Sequence, residues 1–135
     1  MKKKIIIALS LIIIILELMP KSIKLIYSVD NNGVKEYIYN YSSHFAIYTF
    51  ASGLYFPIIL AFMSVFLLVI LILSYYINIK DETVNTTLIG MFIFSLSPLI
   101  MGFKALTVFN VIITILIVLI FILNNYQGIN KGQTN

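Results

Sequence analysis

Glu17 is the one acidic residue inside an apolar stretch that could cross a membrane. Ionisable groups in such segments are costly and by default indicate a functional site, such as a proton or cation relay. Lys21 follows four residues later, a spacing at which a glutamate and a lysine on one helix can pair. Three interpretations stay open: an acid paired with Lys21, Lys24 or Lys104, a coupling acid for protons or cations, and a packing contact with another subunit.

Asn110 carries the second candidate chemistry, because it shares one predicted helix face with Thr107 and Thr114 at spacings of three and four residues. Hydrogen bonds between helices in lipid contribute on the order of 0.6 to 2 kcal/mol. We therefore expect this face to point into the protein and to hold helices together. Pro98, in the preceding predicted helix, should kink that helix.

Other functional groups offer little catalytic chemistry. The single histidine, His44, has no neighbouring ligand at metal-site spacing, and the chain contains no cysteine. No phosphate-binding loop, nucleophile motif or paired carboxylates are present, so we predict neither an enzyme nor a cofactor. The net charge of +4 comes from scattered lysines, which does not favour binding to nucleic acid.

The elements that must position these residues are membrane helices. The chain of 135 residues is 61% hydrophobic and 10% charged. A soluble domain has far more charged residues, roughly 25%. We predict one all-α membrane domain over residues 1–135, embedded in the lipid bilayer. It has four transmembrane helices, at about 5–19, 56–79, 84–103 and 105–125.

The first apolar run could be a cleaved signal, because it follows Lys2, Lys3 and Lys4. No small residues follow it as a cleavage site would require, which favours an uncleaved helix. The lysines before it favour an N-terminus in the cytoplasm. Four crossings then place both termini inside, with the turn at Lys80 inside and the loop 20–54 outside.

The outer loop has the pattern of a β-hairpin. Alternating residues over 23–29 and a tyrosine-rich run over 34–41 flank Asn32-Gly33, a strong turn signal. The tyrosines at 37, 39 and 41 share one strand face, where they could anchor the loop at the headgroups or form a ligand platform. We expect 42–55 to be interfacial or re-entrant and 127–135 to be a disordered tail.

The run Phe56 to Ile79 looks like the inert helix of the bundle, since it contains no charge. The motif Glu17-Leu18-Met19-Pro20 and the opening Leu54-Tyr55-Phe56-Pro57 resemble small four-span membrane proteins of Gram-positive bacteria. That resemblance implies a multi-pass protein of a bacterial plasma membrane and implies no activity. Glu17 is also similar to the first-helix glutamate of small multidrug resistance transporters, which lies deeper in its helix.

We therefore expect a noncatalytic membrane or envelope component that contacts a second copy or another membrane protein. The alternative is a small oligomeric transporter or channel with Glu17 as its coupling acid. A hole-forming lysis protein is a third possibility, although the C-terminal tail carries only Lys131 as a charge.

Overall fold

A computed structural model describes residues 2–31, 33–46, 55–100 and 103–131. Helices dominate, and a β-hairpin separates the first helix from the rest of the bundle. The elements in chain order are α1 (Lys2–Leu18), β1 (Ile23–Asn31), β2 (Val34–Ser42), α2 (Phe56–Leu73), α3 (Asp81–Ser95), α4 (Ser97–Ile100), a 3-10 turn (Phe103–Ala105) and α5 (Val108–Lys131).

Three segments within the described residues are long and apolar enough to cross a membrane: Phe56–Leu73, Asp81–Ile100 and Val108–Tyr126. Three of the four predicted transmembrane helices thus correspond to helices of suitable length and composition. α1 is 17 residues long and begins with lysines. At about 1.5 Å per residue it extends about 25 Å, somewhat less than a hydrocarbon core of about 30 Å.

The helices form a bundle in which α1 and α3 each pack against both α2 and α5. Large apolar side chains also cover the outside, with Phe62 67% and Ile115 60% exposed. Such an apolar outer surface suits contact with lipid. The core between the helices consists of Ile6, Ile13, Leu60, Leu67, Ile70, Leu71, Val84, Leu88, Met91, Ile113, Ile117 and Ile120.

Both ends of the described chain lie at one end of the bundle, and the hairpin lies at the other. Lys3 Nζ, near the start of α1, donates to the main-chain oxygen of Ser74, just after α2, at 3.2 Å. Asn125, late in α5, accepts from Asn85 Nδ2, early in α3, at 2.8 Å. The start of α1 and the last turns of α5 thus lie at the same end of the bundle.

Several helix boundaries differ from those expected. α2 ends at Leu73 rather than 79, and α3 begins at Asp81 rather than 84. Asp81 and Glu82 lie in the first turn of α3. Acidic side chains favour a helix N-terminus because they complement its positive dipole end. The expected inner turn therefore lies before Asp81 rather than across 80–82.

The other two differences concern the later helices. The helix after Asp81 is interrupted at Leu96, two residues before Pro98, as the proline predicts. α5 begins at Val108 rather than 105 and continues to Lys131, so it includes the first residues of the segment 127–135 that we expected to be a tail. Residues 132–135 lie outside the described part of the chain.

The predicted hairpin is confirmed. β1 and β2 pair antiparallel from Ile23 opposite Ser42 to Asn31 opposite Val34. Gly33 has a φ of 84°, a conformation that glycine adopts without steric cost. Its N–H donates to Asp30 Oδ1 at 3.0 Å. Most of the segment expected to be interfacial or re-entrant, residues 47–54, lies outside the described residues.

Candidate functional site

Polar side chains gather where α1, the base of the hairpin, α2 and α5 meet. We call this group the hairpin-end cluster; its members are Glu17, Ser22, His44, Ser64, Thr107 and Asn110. All of them except Thr107 are almost fully buried. The cluster lies at the hairpin end of the bundle, and its buried hydrogen bonds are made in a setting of low dielectric.

Glu17 occupies the last turn of α1 with no solvent-exposed surface. It lies on the same buried stripe as Ile6, Ser10 and Ile13, as the spacing predicts. Its Oε1 accepts a hydrogen bond of 2.7 Å from Ser64 Oγ. Within the described residues, its Oε2 has no hydrogen-bond partner. The carboxyl group can therefore take a proton or one further donor at Oε2.

Of the three interpretations of Glu17, its pairing with a lysine is wrong, because its Oε1 accepts from Ser64 and its Oε2 has no partner among the described residues. α1 ends at Leu18, so Lys21 does not continue the helix and its side chain is exposed. Lys24 and Lys104 instead lie over aromatic rings, at 4.3 Å from Tyr39 and 5.8 Å from Tyr37 respectively. A cation over a ring face is attracted by the quadrupole of the ring. The structure thus brings neither Lys21 nor Lys104 to the acid.

His44 joins the acid to the rest of the cluster. Its main-chain N–H donates to the carbonyl oxygen of Glu17 at 3.0 Å, and its Nδ1 lies 2.9 Å from Ser22 Oγ. Burial lowers the pKa of the imidazole to about 4, against a smaller opposing effect of its hydrogen bond with Asn110. The ring is therefore neutral at pH 7. A neutral imidazole has one donor and one acceptor nitrogen, enough for both side-chain partners.

Thr107 fastens the hairpin base to α5. Its Oγ1 donates to the carbonyl oxygen of Ser22 at 2.8 Å and accepts from the main-chain N–H of Asn110 at 3.1 Å. The second bond has the geometry of a helix cap at the start of α5. Ser22 Oγ in turn lies 3.1 Å from the carbonyl oxygen of Glu17. Consecutive hydrogen bonds thus join the start of α5, the base of the hairpin and the end of α1.

Asn110 confirms the expectation that this face of α5 points into the protein, since only 3% of it is exposed. Its Nδ2 has no hydrogen-bond partner among the described residues. Thr114, on the same face, donates to the carbonyl oxygen of Asn110 at 2.8 Å. The cluster therefore contains one buried acceptor, on Glu17, and one buried donor, on Asn110, that could each form another hydrogen bond.

Sequence reasoning missed the roles of Ser22, His44 and Ser64. The expectation that the charge-free second helix is inert is wrong, because α2 supplies the hydroxyl that binds Glu17. A signal existed: Ser64 lies on the buried stripe of Leu60 and Leu67, where a lone hydroxyl needs a partner. No comparable periodicity marks Ser22 or His44, which lie in turns.

Known proteins offer no guide to this site. Comparison with family models, curated proteins and solved structures gives no match. Within the ranges that the structure describes, no three His, Asp or Glu side chains come together as a metal site would need. The chemistry that the cluster supports is hydrogen bonding and the binding of a proton at Glu17.

Proposed function

We propose that the protein is a noncatalytic, multi-pass component of a bacterial plasma membrane that presents its hairpin to a second copy or to another membrane protein. The observation that carries this proposal is the exposure of β2. Every residue from Val34 to Tyr41 is exposed, and only Ser42 at the base is buried. An arm anchored at its base and exposed along its length suits contact with a partner.

The exposed surface of the arm is largely apolar. Val34 is 64% exposed, Tyr37 57% and Ile38 51%. Aromatic residues are enriched in protein interfaces, and the exposed Tyr37, Tyr39 and Tyr41 share one face of β2. An isolated two-stranded hairpin is marginally stable in water. Anchoring by the hairpin-end cluster compensates for that weakness and keeps the arm ordered for a partner.

Photocrosslinking in native membranes tests this proposal. A benzophenone amino acid placed at Ile38 should give crosslinks to protein. The same probe at Tyr76, which is 85% exposed at the opposite end of the bundle, is the matched control. Equal crosslinking at both positions, or none at Ile38, would contradict the proposal. Mass spectrometry of the adduct distinguishes a second copy from another protein.

The proposed threading has α1 as a fourth crossing and both termini in the cytoplasm. Packing of α1 against α2 and α5 supports this, as do the lysines at its start. Because α1 is short, those lysines must extend outward to the headgroups. Reporter fusions after Lys80 and at the C-terminus should both appear cytoplasmic. An external signal at either position would overturn the threading.

A second candidate function, a small oligomeric transporter or channel, is favoured by the unpartnered Oε2 of the buried Glu17 among the described residues. Proton entry into dye-loaded vesicles under a potassium diffusion potential measures it. If Glu17 couples flux, Glu17→Gln should abolish proton entry while retaining the bond with Ser64. Glu36→Gln, on the exposed hairpin, is the control and should change nothing. Absence of flux in the unmodified protein would rule this candidate out.

A further inference from the structure

A cavity of about 370 Å³ opens between the base of the hairpin and the start of α5. Its wall contains both lysines and apolar residues. Its lining residues are Lys21, Lys24, Tyr41, Leu106, Thr107, Val108 and Phe109. This lining contains two cationic side chains and no acidic one, so its charge favours an anion.

The cavity lies at one end of a helix that is long and apolar enough to cross a membrane. The candidate span Val108–Tyr126 begins with a residue of the cavity wall. Val108 itself is 74% exposed. Lys21 is also exposed, and it precedes the hairpin. A ligand in this cavity would therefore have its charged part level with the lipid headgroups and its apolar part beside the span.

The surrounding charges leave the two lysines available to an anion. Lys24 lies over the Tyr39 ring at 4.3 Å, a contact that orients its ammonium group without neutralising it. The acids of the hairpin, Asp30 and Glu36, lie toward its turn, where Asp30 stands opposite Lys35. Glu17, the acid nearest in sequence, has no exposed surface.

We propose that this cavity binds an anionic phospholipid, with its phosphate held by Lys21 and Lys24 and an acyl chain along Leu106, Val108 and Phe109. The inference rests on the proposed membrane location. Basic residues at a membrane surface attract anionic lipids, and the apolar wall adds contacts that a free anion cannot make. The cavity thus combines both parts of a lipid site.

Native mass spectrometry of the detergent-solubilised full chain tests the inference. Phosphatidylglycerol and phosphatidylcholine with identical acyl chains are added in turn, and bound lipid is counted. We expect phosphatidylglycerol to bind about tenfold more tightly, from two lysines near the headgroup. The double variant Lys21→Gln with Lys24→Gln should lose this preference. Inorganic phosphate at millimolar concentration should not displace the lipid.

The matched control is Lys35→Gln with Lys80→Gln, which removes the same charge away from the cavity. This variant should keep the preference for phosphatidylglycerol. Equal loss in both double variants, no preference in the unmodified protein, or displacement by inorganic phosphate would overturn the proposal. If circular dichroism shows that the first double variant is unfolded, Lys21→Gln alone decides the question. It should weaken phosphatidylglycerol binding about threefold, and no change would overturn the proposal.

The proposed lipid site and the proposed partner can be disproved independently of each other. Crosslinking at Ile38 reads the hairpin arm in native membranes, whereas the lipid measurement uses purified protein in detergent. Loss of crosslinks with retained lipid preference would remove the proposed partner and leave the lipid site. The opposite result would remove the lipid site alone.

Discussion

Two polar clusters lie at opposite ends of the bundle and are built differently. At the end that holds the termini, Asn85 of α3 meets Asn124 and Asn125 of α5. Asn85 Nδ2 donates to Asn125 Oδ1 at 2.8 Å, and Asn124 Nδ2 donates to Asn85 Oδ1 at 2.9 Å. These amides are partly buried and do not titrate. The hairpin-end cluster instead includes an acid and an imidazole, both almost completely buried.

Comparing the two clusters distinguishes polar groups that hold helices together from polar groups that could have another role. The amide cluster joins two helices with neutral groups alone, which shows what helix association in this chain needs. The hairpin-end cluster joins α1, α2, α5 and the hairpin, yet Glu17 Oε2 and Asn110 Nδ2 lack partners in the described structure. A buried polar atom without a partner costs about 1 to 3 kcal/mol. The association of helices does not require unpaired buried atoms of this cost, because the amide cluster joins α3 and α5 without them.

The largest expected effect comes from removing the central side chain of each cluster. His44→Ala should lower the free energy of unfolding by about 3 kcal/mol, since it deletes buried hydrogen bonds and leaves a cavity. Asn85→Ala should cost about 1 kcal/mol, because its partly buried partners can bind water or headgroups. Unfolding by sodium dodecyl sulfate in mixed micelles measures both. Equal losses of unfolding free energy in the two variants would contradict the expected difference between the clusters.

The hairpin-end cluster should also respond to pH, and the amide cluster should not. The pKa of His44 is about 4 when folded, below its ordinary value of 6.5. Between those values the unfolded chain binds a proton that the folded chain does not. Stability from this group is therefore complete above pH 6.5, falls as the pH drops toward 4, and is constant below. The total loss approaches roughly 3 kcal/mol.

Unfolding measured from pH 7.5 to pH 3.5, in the unmodified chain and in His44→Gln, checks this. Titration of carboxyl groups is common to both proteins, so their difference isolates the histidine. Asn85→Ala is the control at the other end, and its pH dependence should match that of the unmodified chain. A His44→Gln variant that retains the full pH dependence would show that the imidazole does not cause it.

Ser64→Ala should destabilise the chain by about 1 to 3 kcal/mol, because the substitution leaves both oxygens of Glu17 without a partner. Ser74→Ala is the matched control. Ser74 Oγ donates to the carbonyl oxygen of Leu71 at 2.7 Å and is partly buried. Its loss should cost a few tenths of a kcal/mol. If the two substitutions cost the same free energy of unfolding, the hydrogen bond from Ser64 to Glu17 stabilises the chain no more than the bond that Ser74 makes.

Among the residues of the two clusters, the smallest expected effect is that of Asn124→Ala in the amide cluster. Interhelical hydrogen bonds in membranes contribute about 0.6 kcal/mol on average. Asn85 also retains its bond with Asn125 in this variant. The same detergent titration should resolve a loss near that average. A loss above about 2 kcal/mol, beyond the usual range for such bonds, would mean that the amide cluster stabilises the bundle as strongly as the hairpin end.

Local patterns predicted the local parts of this molecule. The Asn32-Gly33 turn, the alternation in the strands and the apolar runs each depend on near neighbours, and the hairpin and three long helices follow from them. The burial of Asn110 followed from helix periodicity. These features require only the spacing of residues within one element.

The candidate site could be predicted only in part, because its contacts join distant positions. Ser64 reaches Glu17 across 47 residues, and His44 reaches Ser22 across 22. The interpretation that paired Glu17 with Lys21 needed both residues on one helix, whereas α1 ends at Leu18. Pro20 lies two residues beyond the end of α1, and the chain then turns into the hairpin. Closeness in sequence suggested a lysine as the partner of Glu17, whereas in the folded chain its partner is Ser64.

The bond between Thr107 and Ser22 spans 85 residues, and it bears on the order of assembly during synthesis. Ser22 and His44 are synthesised long before Thr107 and Asn110. The base of the hairpin therefore lacks the hydrogen bond from Thr107 until that residue has been made. A chain truncated before residue 107 lacks the groups that close the base. Synthesis of Thr107 thus supplies the group that completes the hydrogen bonding of a segment made much earlier.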